Sequence, residues 1–222
     1  MSSVNLITGG AGFIGSQLTH RLLSNNETVI CIDNLFTGKE INIKPFQSNK
    51  NFKFIHHDVE QFFDIKVDKI WHLACIASPN IYLDNPLKTI NTCFLGARNV
   101  LDLAVKNRCK VLLASTSEIY GDSQLNPQRE DYHGNVNCFG SRACYSEGKR
   151  ISEALFYEYR RLHNIDIRVA RIFNTYGIGS SLFDNRVITS FIRGIKLDSK
   201  IFINGDGEQT RSFCYISDLI DG

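Results

Sequence analysis

The chain has 222 residues, 43% of them hydrophobic, with 25 Lys and Arg against 23 Asp and Glu for a formal net charge of +2. That is enough apolar material for one globular domain or one and a fraction, and the near balance of scattered charges excludes a basic stripe for nucleic acid or for an acidic membrane surface. The 7 cysteines form an odd set with no CxxC pair and no close Cys/His cluster, which points away from a disulfide framework and from a metal site. No apolar run approaches the roughly 18 residues of a membrane span, and the N-terminus lacks the charged start of a signal peptide. A cytoplasmic protein with small-molecule partners is expected.

Taken in chain order, short β-branched runs predict strands at residues 4–8, 28–33, 52–57, 69–73, 110–115 and 166–171. Between them, amphipathic stretches predict helices at 13–25, 86–107 and 141–164, and Pro86 suits the first turn of its helix. Beyond Arg171 the pattern changes to loops, a helix near 187–194, a short strand at 201–203 and a helix opening at Asp218. Strands alternating with helices of this length define an α/β fold. The expectation is a Rossmann-type doubly wound parallel sheet over residues 1–171. An incomplete small C-terminal substrate lobe would follow over 172–222, partly interleaved with it.

Residues 8–15 read TGGAGFIG, so Gly10, Gly12 and Gly15 satisfy G-x-G-x-x-G and Gly9 adds a flexible point. Set between a strand and a helix, this turn lets the backbone approach a pyrophosphate at the helix N-terminus, with Gly9, Gly12, Phe13, Ile14 and Gly15 as contacts. Asp33 closes the second strand at roughly the 20-residue spacing of a ribose-binding acid, which favours NAD over NADP, and Asn34 follows it. Asp58 either meets the adenine or is a solvated loop acid. Tyr145 and Lys149 lie one turn apart on a helix. A nearby ammonium favours a phenolate and is expected to bring Tyr145 down from about 10 toward working range. Without the glycine turn, the pair reads as a core aromatic beside a solvated lysine. Thr116, Ser117 and Glu118 lie where the fifth strand ends, the edge at which such sheets bind ligands. The hydroxyls suit a sugar, and Glu118 orients water, acts as a base, meets a second charge, or is a surface glutamate.

Together these segments resemble the extended short-chain dehydrogenase/reductases over nearly the whole chain. More narrowly, VICIDNLFTGKEINI (29–43), HLACIASP (72–79), LLASTSEIYGD (112–122), GNVNCFGSRACYSEGKR (134–150), RIFNTYG (171–177) and GDGEQTRSFCYISDL (205–219) resemble the UDP-glucuronate decarboxylases, which make UDP-xylose. The resemblance implies NAD contacts at Gly9, Gly12, Gly15 and Asp33, a catalytic couple of Tyr145 and Lys149, and a substrate-side set of Thr116, Ser117 and Glu118. It also implies an arginine near the sugar carboxylate and diphosphate at Arg211, and nucleotide-sugar contacts at Asn174 and Arg186. Asn91, Arg142 and Arg150 are either substrate-side or structural polar residues.

The implied reaction is a redox loop: oxidation at C4 of the sugar, loss of carbon dioxide from the resulting β-keto acid, and return of the hydride. A homodimer through residues 86–107 and 141–164 is implied as well, and Leu95, Leu103, Leu155 and Tyr159 either form an apolar outer stripe that supports it or pack on the sheet. Related 4,6-dehydratases carry an Asp where this chain has Ser117, and 4-epimerases usually lack the counterpart of Glu118. The chain departs from the family's Tyr-Gly-Pro-Arg at Ile178 and Gly179, and from two prolines at Cys138 and Ser141. Relatives continue beyond the length seen here, so an NAD-binding fragment without turnover is the alternative from another class.

Overall fold

The computed structural model describes residues 2–184, 186–203 and 205–222. It divides into two compact units, Met1–Ile172 and Phe173–Gly222. In the first, β1 (Val4–Thr8), β2 (Thr28–Asp33), β3 (Phe52–His56), β4 (Lys69–His72), β5 (Lys110–Thr116) and β6 (Ile167–Ile172) form one parallel sheet in the order β3-β2-β1-β4-β5-β6. The central strands are apolar on both faces, and Leu6, Ile7, Val29, Cys31, Ile32 and Leu113 have no exposed surface. A sheet covered on both sides requires this, and each such side chain contributes roughly 1.5–3 kcal/mol. Strand order reverses between β1 and β4, and the diverging loops at their carboxyl ends leave the crevice where ligands of such sheets bind.

The helices of this unit are α1 (Phe13–Ser24), α2 (Glu40–Ile43), α3 (Pro79–Asp84), α4 (Pro86–Asn91), α5 (Ala97–Asn107) and α6 (Ala143–His163). One cluster joins Val100, Leu101, Ala104 and Phe156 of α5 and α6 to Leu6, Ile70, Val111 and Leu113 of the sheet. A second joins Ala11, Cys31 and Ile43 to Phe46, Phe52 and Phe54. Residues 86–107, expected as one helix, are continuous but contain a π turn over Thr92–Gly96 between α4 and α5. The wide turn sits where α6 docks. Ser152 Oγ donates to the Cys93 carbonyl at 2.9 Å, and a Cβ on Gly96 would lie 2.9 Å from Val59 Cγ2. The α6 helix stops at Asn164, which adopts the left-handed conformation with φ 53° that asparagine tolerates.

The π turn also moves the apolar phase of this helical run. Leu103 is buried, and Leu155 and Tyr159 pack against the core, with Tyr159 Oη donating to Asp102 at 2.6 Å. Leu103, Leu155 and Tyr159 therefore do not form an outer stripe, and the large apolar side chains exposed on these helices include Leu87, Ile90, Phe94, Ile151, Tyr157 and Leu162. In the 86–107 run a straight 3.6-residue period misses the π turn, which adds about one residue to its turn, whereas on α6 the packing of Leu155 and Tyr159 against the core decides.

In the second unit, β7 (Asn174–Tyr176) pairs in parallel with β8 (Phe213–Tyr215), accompanied by α7 (Val187–Lys196) and α8 (Ile216–Asp221). The expected strand at 201–203 is not formed, and Ile201, Phe202 and Ile203 are all exposed. The pairing goes to the aromatic segment, where Tyr176 meets Phe213 and Tyr215 edge-on at 6.2 and 5.4 Å between centroids. A short β-branched run gains nothing from extended backbone without such a partner. No helix among the described residues is long and apolar enough to cross a membrane.

Candidate active site

Gly9 follows β1 with φ +73°, and a Cβ there would lie 2.8 Å from the Ala74 backbone in the loop after β4. Only glycine satisfies both the angle and the approach. At Gly15, inside the first turn of α1, a Cβ would lie 2.3 Å from the Gly9 carbonyl oxygen, so the turn folds onto the helix with no side chain between. Gly12 is the N-cap of α1, offers no side-chain cap and is followed by no acidic residue in the first turn. Its Cβ would meet only Gly9 O, at 3.2 Å. The first-turn residues Phe13, Ile14 and Gly15 thus carry N–H groups at the positive end of the helix dipole with no side-chain cap over them. This arrangement fits the diphosphate of a dinucleotide.

Asp33 is buried at the end of β2, where its Oδ2 accepts the Ala11 N–H at 3.0 Å and its Oδ1 the Leu35 N–H at 2.8 Å. Burial raises its carboxyl pKa, with these two bonds and His56 opposing. A Cβ on Gly38 would lie 2.7 Å from Asp33 Oδ1, so Gly38, unmarked by the motif, makes room for the acid. Each carboxylate oxygen has a further lone pair for a ribose hydroxyl. Asn34 Nδ2 donates to Asp58 Oδ2 at 2.9 Å, and Lys88 Nζ bridges that oxygen and Glu60 at 2.6 and 2.7 Å. Burial alone would raise Asp58, but bonds from Lys88, the Glu60 N–H and Asn34 outweigh it and hold the group below its usual value. Asp58 is therefore part of an ion-pair network tying its loop to α4, and not a solvated loop acid.

Tyr145 and Lys149 are both buried on α6. Lys149 Nζ donates to the Ala114 carbonyl at 2.7 Å and hydrogen-bonds the Cys75 thiol, while Thr116 hydrogen-bonds the Tyr145 phenol. The expected downward shift of Tyr145 is not found in the chain alone. Burial pushes the phenol up to about 12, and Lys149 and Thr116 only partly oppose it. Desolvating a phenolate costs more than one neighbouring ammonium returns, and this ammonium is shared with a carbonyl and a thiol. Burial would lower Lys149, yet Cys75, Cys93 and Tyr145 outweigh it and hold the amine above its usual value. His72 is buried with Nδ1 2.8 Å from Thr8 Oγ1. Burial and then the Lys149 charge push it down to about 3, so it stays neutral.

Thr116 ends β5 and caps the 3-10 turn Ser117–Tyr120 by accepting the Glu118 N–H at 3.2 Å. Ser117 and Glu118 are half-buried there. Arg142 reaches Glu118 Oε1 at 3.2 Å and donates from Nε to Tyr82 Oη at 2.9 Å. The Tyr82 ring lies parallel to that of Tyr145, so Glu118 and Tyr145 are joined through Arg142 and Tyr82. Tyr82 on α3 was not singled out from sequence, since neither periodicity nor spacing marks a stack between distant segments. Arg150 instead donates to the Ile119 and His133 carbonyls at 3.0 and 2.9 Å, a structural use, and Asn91 is exposed at the end of α4.

The remaining expected residues belong to the second unit. Asn174 Nδ2 donates to the Ser212 carbonyl at 3.1 Å. Arg186 is the N-cap of α7 and pairs with Asp184 at 3.1 Å. Arg211 is exposed and donates to the Thr210 carbonyl at 2.7 Å.

A parallel sheet in this order, a glycine turn on α1, an acid ending β2 and a Tyr-Lys pair on α6 define a nucleotide-binding protein of the short-chain dehydrogenase/reductase type. The model of the NAD dependent epimerase/dehydratase family matches residues 5–222, and the chain belongs to that family. UDP-glucuronic acid decarboxylase 5 of Arabidopsis thaliana is 50% identical over 218 residues, covering 98% of this chain and 64% of the relative. UDP-glucuronic acid decarboxylase 1 of Xenopus tropicalis is 47% identical over 217 residues, covering 98% of this chain and 52% of the relative. The chain thus spans half to two thirds of the length of these relatives. Among solved structures, a UDP-N-acetylglucosamine 4-epimerase from Methanobrevibacter ruminantium M1, in complex with UDP-N-acetylmuramic acid, superposes with a TM-score of 0.90 at 28% identity, over 99% of this chain and 71% of that one. A dTDP-glucose 4,6-dehydratase from Streptomyces venezuelae, solved with NAD and TYD bound, gives 0.87 at 25% identity, over 98% and 70%.

Proposed function

We propose that this chain is an NAD-dependent UDP-glucuronate decarboxylase, converting UDP-glucuronate to UDP-xylose and carbon dioxide. The observation that carries this reading is the grouping of Tyr145, Lys149, Thr116 and Glu118 at the carboxyl end of β5. The Ala74–Cys75 loop links that group to the glycine turn, since Gly9 abuts Ala74 and Lys149 bonds Cys75. The identity to decarboxylases supports the choice of substrate.

Gly9, Gly12, Phe13, Ile14 and Gly15 would hold the diphosphate of NAD, with Asp33, Asn34 and Asp58 for its adenosine, and the bound cofactor would supply the redox chemistry at C4. Tyr145 takes the C4 hydroxyl proton, Lys149 stabilises the phenolate, and Thr116 and Ser117 hydrogen-bond the sugar. The 4-keto sugar is a β-keto acid, so the electrons of the breaking C5–C6 bond pass to the C4 carbonyl as carbon dioxide leaves. Glu118 positions the water that protonates C5, and Tyr145 gives its proton back as C4 is reduced. Arg211 pairs with the sugar carboxylate, and Asn174 and Arg186 hold the nucleotide sugar. Decarboxylation needs no acid for a departing C6 hydroxyl, in keeping with Ser117 where 4,6-dehydratases carry Asp. The exposed Leu87, Ile90, Phe94 and Ile151 supply apolar surface for the homodimer included in this reading.

Tyr145→Phe tests the assignment. The variant is expected to bind NAD with wild-type affinity and to release no carbon dioxide from UDP-glucuronate. Undiminished release rejects the role of Tyr145. From the unsubstituted chain, a 4-epimer or a 4-keto-6-deoxy product moves it to the epimerase or dehydratase branch, and NAD binding without any product leaves a cofactor-binding fragment.

A further inference from the structure

We infer that Cys75 and Cys93 form a redox modification site, a thiol pair set to close into an intramolecular disulfide when a peroxide reaches it. The inference concerns the thiols alone and stands whether or not the substrate assignment holds. Cys75 lies in the loop after β4 and Cys93 in the π turn between α4 and α5, and their sulfurs are 3.4 Å apart. A disulfide needs about 2.05 Å, so the two sulfurs already stand in contact and have little further to approach before they bond.

The two thiols divide the work by their surroundings. Cys75 is half-buried as a residue and Cys93 is buried, so Cys75 is the more accessible residue of the two. The hydrogen bond from Cys93 lowers the Cys75 thiol against the effect of burial, with the Lys149 ammonium adding to it, and Cys93 is raised in turn. A thiolate partner beside a lysine is the environment that makes one cysteine the attacking sulfur. Its sulfur attacks one peroxide oxygen, the O–O bond breaks and the departing hydroxide is protonated to water, leaving a sulfenic acid. The Cys93 thiol then attacks that sulfur, its proton goes to the leaving oxygen, and a second water departs. Two electrons pass from the thiol pair to the peroxide.

The disulfide acts on the catalytic couple directly. It removes the thiol that Lys149 hydrogen-bonds, and it draws on a side chain packed against α6, where a Cβ on Gly148 would lie 3.1 Å from Cys93 Sγ. Gly148 immediately precedes Lys149 in that helix.

The full chain treated with hydrogen peroxide, alkylated and digested is expected to give one peptide pair joined through Cys75 and Cys93, restored to free thiols by dithiothreitol. Exposed Cys138 and buried Cys144 are the internal comparisons. Cys93→Ser, checked for an unchanged thermal transition, is expected to leave Cys75 as a sulfenic acid trapped by dimedone. Recovery of both cysteines as alkylated thiols under peroxide that oxidises Cys138 overturns the inference, as does Cys75 joined to Cys144.

Discussion

The phenol ring of Tyr82 lies flat on that of Tyr145, with centroids 5.1 Å apart and planes 2° from parallel, while its hydroxyl accepts a hydrogen bond from Arg142 at 2.9 Å. The stack is buried, and the Arg142 link is half-exposed. Truncating a fully buried aromatic costs about 3–5 kcal/mol, so Tyr82→Ala is expected to lower the urea midpoint strongly. Tyr82→Phe keeps the stack and should cost less than ~1 kcal/mol, while freeing Arg142 and Glu118 from Tyr145. If Tyr82→Phe proves as unstable as Tyr82→Ala in urea, the hydroxyl and not the stack holds the ring.

Two glycines of the turn separate folding from binding. Gly15→Ala places a methyl 2.3 Å from a backbone oxygen, whereas Gly12→Ala needs only a slight adjustment at 3.2 Å. Gly15→Ala should therefore lose both stability, by about 1–3 kcal/mol, and NAD affinity. Gly12→Ala should melt near the wild type yet bind NAD at least about tenfold more weakly, or ~1.4 kcal/mol, because its methyl occupies the approach to the helix N-terminus. Calorimetric titration checks this; wild-type affinity in Gly12→Ala would mean that the diphosphate lies elsewhere.

Tyr145 is pushed up to about 12 in the chain alone, chiefly by burial, against about 10 when unfolded. A folded value above the unfolded one gives stability that is complete below pH ~10 and is lost as pH rises through about 12. Tyrosinate absorbance of the wild type minus Tyr145→Phe should show no step below pH ~10, and saturation with NAD, whose nicotinamide ring carries a positive charge, should draw the step downward. A step near neutrality without ligand would show that Lys149 outweighs burial after all.

His72 works in the opposite direction. Burial and Lys149 push it down to about 3, against about 6.5 unfolded, so its contribution is present above pH ~6.5 and is lost as pH falls toward 3. Within that window it should steepen acid destabilisation by up to about 1.4 kcal/mol per pH unit. Urea midpoints between pH 7 and 4.5 should flatten in His72→Asn, which keeps a polar partner for Thr8. Parallel curves for both proteins would show that His72 is not held neutral.

The local features were legible wherever one segment carries its own signal. Gly9 to Gly15 between a strand and a helix, Asp33 at a strand end, and Tyr145 with Lys149 at helical spacing all stand where their pattern implies. Features that depend on two distant segments were not legible. The π turn at Thr92–Gly96 lies where α6 docks, and residues 201–203 have strand composition but form no strand. The stack of Tyr82 on Tyr145 and the contact of Cys75 with Cys93 join residues from separate elements. The sign of the Tyr145 shift needed the depth of burial, which spacing does not encode.

The most direct test uses UDP-glucuronate deuterated at C4, incubated with the chain and NAD and followed by mass spectrometry. A redox loop through Tyr145 predicts carbon dioxide together with UDP-xylose that still carries the deuterium at C4, and neither product from Tyr145→Phe. UDP-xylose without the label, or unchanged substrate from a chain that demonstrably binds NAD, would contradict it.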